Sequence, residues 1–222
     1  MNEERLCLTP AEDAIPFGHL VTTEEGLREV AGRPGARAVQ KERSRLDEHC
    51  RAFIARSPFL LVATSGADGR CDVSPKGDAP GFVLVLDEHR LVIPDRPGNK
   101  RFDGMKNLLS NPHIALIFIV PGREETLRVN GRAWITRDSA LLDRCTAHGR
   151  TPLLGIGVDV EESFMHCPKA FIRSKLWEVD QWPSADALPS FACVLFDQVK
   201  PADVTLQDYE RDIQEGNTKR LY

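Results

Sequence analysis

Two stretches of the chain combine glycine, proline and positive charge in a pattern that could hold an anion. The first is residues 72–82, Asp72-Val73-Ser74-Pro75-Lys76-Gly77-Asp78-Ala79-Pro80-Gly81-Phe82. The second is residues 93–103, Ile93-Pro94-Asp95-Arg96-Pro97-Gly98-Asn99-Lys100-Arg101-Phe102-Asp103, and it runs straight into a segment of helical spacing. A helix start exposes unpaired N–H groups at the positive end of the helix dipole, so lysine and arginine just ahead of it make phosphate the natural guest. Taken singly, either loop also reads as a turn that glycine and proline shape and cations solvate. Both follow segments that can pair as neighbouring strands, so the two loops are expected to converge.

Two more segments carry candidate groups. In residues 125–136, Leu127, Val129, Ala133 and Ile135 alternate with Thr126, Arg128, Asn130, Arg132 and Trp134, the period of a strand with one apolar face. Arg132 reads as solvated, Arg128 beside Thr126 as the better ligand, and Gly131 as a bulge or a close backbone approach. Residues 166–177 begin His166-Cys167-Pro168-Lys169 and end at Trp177. No second histidine or carboxylate stands at metal or triad spacing, so the His-Cys pair reads as structural rather than nucleophilic. Trp177 follows a basic helical stretch and reads either as a cover for a ring system or as a core residue.

These groups need a scaffold of short strands. Residues 59–65 and 70–76 flank the turn Gly66-Ala67-Asp68-Gly69 as a hairpin. Residues 82–87, 90–94, 113–120 and 125–136 add four strands, residues 153–160 a last one, and one helix, 102–110, interrupts them before Asn111-Pro112. Strands this closely spaced favour an antiparallel barrel, because parallel strands need helical crossovers between them. Ahead of the barrel, a helix opening at Thr22-Thr23-Glu24-Glu25 and a longer one over 38–56, with Val39, Leu46, Cys50, Phe53 and Ile54 on one face, are expected. After it come helices over 138–148 (capped by Asp138), 161–175 and 203–214, with Pro183, Pro189 and Pro201 in the loops between.

The 222 residues are 41% hydrophobic and 28% charged, inside the globular range. With 29 Lys and Arg against 33 Asp and Glu the formal charge is −4, which does not attract nucleic acid or an anionic membrane, so any anion site must be local. The strand faces also lack the interleaved stacking aromatics of an oligonucleotide-binding barrel. Cys7, Cys50, Cys71, Cys145, Cys167 and Cys193 include no CxxC pair and no zinc spacing. The acidic start carries no secretory signal, and no apolar run approaches the roughly 20 residues of a membrane span, so a reduced cytoplasmic protein is expected.

Together, Ser74-Pro75-Lys76-Gly77-Asp78, Ile93 to Arg101, Thr126 to Ala133 and His166-Cys167-Pro168-Lys169-Ala170 ahead of Trp177 resemble the pyridoxamine 5′-phosphate oxidase-like FMN-binding split-barrel family, in its uncharacterised, FMN-dependent branch. The resemblance spans about residues 38–177. It implies a mainly β fold with flanking helices: a six-stranded antiparallel split barrel that forms a homodimer with FMN at the subunit interface. By that resemblance, Val73, Ser74 and Pro75 lie along the isoalloxazine edge and Lys76 reaches the ribityl chain or phosphate. Ile93 and Pro94 support the ribityl chain, and Asn99, Lys100 and Arg101 take the phosphate with Asn107 nearby. Thr126 and Arg128 come from the other subunit, and Arg173 and Trp177 close the pocket. The implied activity is FMN-dependent oxidoreduction of a small molecule, with a non-catalytic flavin or tetrapyrrole binder as the alternative and F420 as a rival to FMN. The family's Trp-Arg-rich segment that reads the vitamin phosphate has no counterpart in residues 215–222, and Cys71-Asp72 stands where its strand carries arginine, so pyridoxamine phosphate is not implied as substrate. The expected organisation is one domain, with an arm (1–57), the barrel (58–160) and a helical extension (161–222).

Overall fold

The computed structural model describes residues 17–184 and 188–222, so Cys7 and the acidic start lie outside the described residues. The chain divides into two units at residue 40. In the first, α1 (Glu24–Ala31) starts at Thr23, whose hydroxyl accepts from the Gly26 N–H at 3.1 Å, and stops at Gly32, with φ +78°. Thr23, not Thr22, is the N-cap, and with Gly26 three residues on there is no side chain to complete the expected Thr22–Glu25 capping box. A short α2 (Ala36–Gln40) follows, and neither helix buries a residue.

In the second unit α3 (Glu48–Ile54) precedes seven strands: β1 (Phe59–Ser65), β2 (Cys71–Gly77), β3 (Leu84–Val85), β4 (Arg90–Pro94), β5 (His113–Ile119), β6 (Thr126–Thr136) and β7 (Gly155–His166). They form one antiparallel sheet in the order β2-β1-β5-β6-β7-β4-β3. The seven strands match the number read from the residues and exceed by one the six that the resemblance implies; the two-residue β3 pairs only with β4, at the edge. Between β4 and β5 lies α4 (Asp103–Ser110), and between β6 and β7 lies α5 (Ser139–Asp143). The sheet curls into a split barrel around Leu60, Val62, Leu91, Ile93, Leu116, Phe118, Leu127, Val129, Ile156 and Val158, with Leu46, Cys50 and Ile54 from the α3 region and Met105 and Leu108 from α4 in the same core. Burying alternate residues of each strand drives this closure.

The long helix expected over 38–56 is broken. Arg43 pairs with Ser163 of β7 by two main-chain bonds, 3.0 and 2.7 Å, and Asp47 restarts the helix by capping the Cys50 N–H at 2.8 Å. Pairing with a strand and a side-chain cap together outcompete helical periodicity. The helix expected over 161–175 is likewise overridden: β7 runs on to His166 because β6 offers it an equally long partner. Pro168, lacking an N–H, ends the ladder and heads α6 (Lys169–Ser174). Asp138 caps α5 as expected, although that helix stops at Asp143. A helix absent from the sequence reading, α7 (Phe191–Val199), is capped by Ser190, and α8 (Leu206–Lys219) by Thr205.

At Gly131 the β6–β7 register shifts, and a Cβ there would lie 2.0 Å from the Asp159 carbonyl oxygen. The bulge and the close approach expected at this glycine are both present. Strand β5 is apolar on both faces: Ile114, Leu116 and Phe118 are buried, while Ala115, Ile117 and Ile119 face outward and half-buried beside Leu61 and Ala63 of β1.

Candidate functional site

The two basic loops do converge, but not because their strands pair: β2 and β4 stand far apart in the sheet order, and the curl of the sheet brings their ends together. With residues 150–154 ahead of β7, and with Leu221 and Tyr222, they enclose a cleft of about 980 Å³. Two cross-loop ion pairs hold its walls together. Lys76 Nζ donates to Asp95 Oδ1 at 2.9 Å, and Arg96 Nε donates to Asp78 Oδ2 at 2.6 Å. The second pair is the deeper, with the Asp78 side chain 3% exposed and that of Arg96 15%. Asp78 also accepts from the Ala79 N–H and the Tyr222 hydroxyl, both at 2.7 Å. Burial pushes the Asp78 carboxyl up, but the Tyr222 hydroxyl, the Ala79 N–H and Arg96 together outweigh it and hold the group below the ordinary carboxylate range.

The loop enters α4 through left-handed residues on both sides of Arg101: Lys100 has φ +59° and Phe102 +56°. Non-glycine residues rarely adopt this region, and such outliers concentrate at functional sites. The Asn99 side chain accepts from the Arg101 N–H at 3.0 Å, and no side chain caps α4. Arg101 Nε lies 2.7 Å from Asp103 Oδ2, and Lys106 3.3 Å from Oδ1. Arg101 first, then Lys106, lowers the Asp103 carboxyl. Lys100 makes no hydrogen bond or ion pair with the described residues. Leu153, Pro75, Pro94, Val73 and Phe102 give the cleft apolar wall.

Of the residues singled out from the sequence, Val73, Ser74, Pro75, Lys76, Pro94, Asn99, Lys100 and Arg101 all line this cleft. Ile93 lies in the core behind Pro94, and Asn107 turns toward the sheet, donating to Thr64 Oγ1 at 3.1 Å and Asp72 Oδ2 at 2.8 Å. Thr126, Arg128, Arg173 and Trp177 lie outside the cleft. Thr126 and Arg128 stand on the outward face of β6 opposite His166 and Phe164. The Arg128 guanidinium sits 5.5 Å and the Lys41 ammonium 4.9 Å from the centre of the Phe164 ring. Burial first, then Arg128 and Lys41, lowers the His166 pKa, so its imidazole stays neutral more readily. Trp177 donates to the Arg123 carbonyl at 2.8 Å, fixing it on the β5–β6 turn, and Arg173 is exposed on α6.

Sequence reasoning missed Arg150 and Tyr222. Gly149-Arg150-Thr151-Pro152 repeats the combination of glycine, cation and proline that marked the other two walls and could have drawn notice. Nothing local marks Tyr222, whose partner Asp78 is 144 residues away. Among the described residues, no group of three or more His, Cys, Asp or Glu could hold a metal ion, and no helix is long and apolar enough to cross a membrane.

A curled antiparallel sheet whose β2 and β4–α4 loops line a cleft with lysine and arginine defines a split-barrel protein. The chain belongs to the pyridoxamine 5′-phosphate oxidase family, whose model matches residues 46–182. Among solved structures it is similar to HupZ of Group A Streptococcus, at 19% identity over 54% of this chain and 92% of that one, TM-score 0.44. It is also similar to an FMN-binding protein from Syntrophomonas wolfei, at 11% identity over 53% and 83%, TM-score 0.42. HutZ, the heme storage protein from Vibrio cholerae, matches at 17% identity over 55% and 94%, TM-score 0.40. No curated protein matches the chain.

Proposed function

We propose that this chain is a homodimeric, cytoplasmic FMN-dependent oxidoreductase acting on a small molecule. The observation that carries the reading is the strained, uncapped entry to α4, with Lys100 and Arg101 beside it, facing a cleft with apolar walls. The donor set fits a flavin phosphate: main-chain N–H groups at an uncapped helix start, a lysine with no hydrogen bond or ion pair among the described residues, and an arginine paired with the half-exposed Asp103. The cleft lies near the upper end of the usual size of ligand sites, roughly 300–1,000 Å³.

In this reading Asn99, Lys100, Arg101 and the first N–H groups of α4 hold the phosphate. Val73, Ser74 and Pro75 run along the ring edge, and Pro94, backed by Ile93, supports the ribityl chain. Lys76, held by its bond to Asp95, reaches the same chain, while Asn107 fixes Asp72. The second copy supplies Thr126, Arg128, Arg173 and Trp177, which explains why one chain keeps them apart from its own cleft. The outward apolar face of β1 and β5 supports that pairing, since a solvated sheet face alternates with polar residues. The five described cysteines are free, in keeping with a reducing compartment. Bound flavin supplies the hydride or electron transfer, and the chain's part is to bind, orient and exclude water.

One observation favours a binder without catalysis, for flavin or for a tetrapyrrole. Every carboxylate lining the cleft is engaged: Asp72 by Asn107, Asp78 by Arg96, Asp95 by Lys76 and Asp103 by Arg101, which leaves no evident acid or base. A spectrum of the purified protein, with its flavin band near about 450 nm, and mass spectrometry of the released ligand separate FMN, F420 and tetrapyrrole. FMN should bind, and Arg101→Ala should weaken it roughly tenfold or more. A protein that stays colourless after incubation with FMN refutes the reading; reduction by NADH or NADPH with turnover of an acceptor rules out the non-catalytic one.

A further inference from the structure

One end of the cleft is already filled by the chain itself. The Tyr222 phenol reaches in, donates its hydroxyl to Asp78 at 2.7 Å, and lays its ring against that of His148, centroids 4.3 Å apart. Arg150 donates to the Tyr222 main-chain carbonyl. Leu221, its neighbour, is 58% exposed, so no apolar burial of that residue anchors the segment. The site it enters is held by the Asp78–Arg96 pair, which ties the end of β2 to the β4–α4 loop below the surface.

An ion pair this deep adds little net stability over apolar packing, because desolvating both charges offsets their attraction. What it does provide is a fixed acceptor. Arg96 occupies one carboxylate oxygen and the Ala79 N–H shares the other, leaving room there for one more donor. With the carboxyl held ionised, it can only accept, so the incoming group must bring a hydrogen. Tyr222 supplies that hydrogen on a flat ring. The same phenol proton is held more firmly than usual, first through the bond to Asp78.

We propose that the Asp78–Arg96 end of the cleft is a binding subsite for a hydroxylated aromatic or heteroaromatic ring, and that Tyr222 is its built-in occupant, displaced when such a ligand enters. A ligand whose ring carries a carboxylate at that point is rejected by Asp78, and one without a donor leaves the remaining acceptor position of its Oδ1 unfilled. Identifying that ligand as the substrate rests on the flavin reading, whereas the subsite stands without it. The arrangement divides the cleft in two: the α4 entry with Lys100 and Arg101 takes an anion, and Asp78 takes a neutral donor.

The test uses full-length protein with no flavin added. In Tyr222→Ala, p-cresol restores the missing phenol and should bind, by ligand-observed NMR titration, at least about tenfold more tightly than to the wild type, whose subsite is filled. On the same variant 4-methylanisole, the same ring with its hydroxyl capped, should bind at least about tenfold more weakly than p-cresol. Adding Asp78→Asn, with the fold checked by circular dichroism, should reduce that preference. Absence of saturable p-cresol binding to Tyr222→Ala, a smaller ratio in either comparison, or a preference untouched by Asp78→Asn overturns the proposal. FMN titration of the same samples reads the flavin site separately, so failure of one reading is distinguishable from failure of the other.

Discussion

Replacing Arg96 by methionine keeps the length and apolar stem of the side chain and removes the charge, leaving Asp78 ionised under 3% exposure. Breaking a buried ion pair from one side costs about 3–5 kcal/mol. Asp78 keeps two hydrogen bonds, from Ala79 and Tyr222, and lies just beneath the surface, which lowers the expectation to about 2–4 kcal/mol. At about 2–4 °C per kcal/mol for a chain of this size, a mid-range loss lowers Tm by about 6–12 °C. The pH dependence gives a sharper signature. In the wild type the depressed Asp78 pKa contributes stability that is present above the ordinary carboxylate value and lost as pH falls through the folded value. In Arg96→Met burial is opposed by fewer partners, the pKa rises, and protonation relieves the stranded charge. The destabilisation should therefore be greatest near neutral pH and shrink in acid, below about pH 4. Urea denaturation at several pH values measures both, and Asp78→Asn combined with Arg96→Met should cost less than the two single losses added together. A loss under about 0.5 kcal/mol, or one constant with pH, would refute the view that this pair is buried and coupled.

Other expectations follow from single contacts. Gly131→Ala places a methyl group 2.0 Å from the Asp159 carbonyl oxygen, a main-chain atom that cannot swing away, so a loss at or above about 3 kcal/mol is expected by thermal or urea melting. His166, with its pKa lowered, stays neutral in the folded chain at a pH where the unfolded chain is protonated. Stability should fall as pH drops below about 6.5, and His166→Asn should flatten that slope; an NMR titration of the imidazole checks the direction. Ile117→Glu puts a charge on the outward apolar face of β5, and light scattering should show a dimer becoming a monomer. Wild-type protein that is already monomeric would remove the basis for a shared site.

The parts of the site legible in the sequence are those whose signal is local. Glycine, proline and cations within eleven residues marked both basic loops, and strict alternation marked the two faces of β6, where Leu127, Val129 and Ala133 are buried and Arg132 is exposed. Gly131 was legible because the lack of a side chain inside an alternating strand has few explanations. What escaped was set by partners distant in sequence. Residues 161–166 carry no strong strand pattern and extend because β6 lies beside them, while Arg43 leaves its helix for Ser163. Arg150 and Tyr222 enter the cleft through tertiary closure, and for Tyr222 no local pattern announces it.

The left-handed turns at Lys100 and Phe102 bear on kinetics. Holding two non-glycine residues there costs about 1–2 kcal/mol each, and the fold sustains that cost whether or not a ligand is present. If α4 holds a phosphate as proposed, that group meets N–H groups already aligned, with little ordering left to do. Capture should run close to the rate of diffusional encounter, and phosphate-bearing molecules of unequal affinity should differ chiefly in how long they stay.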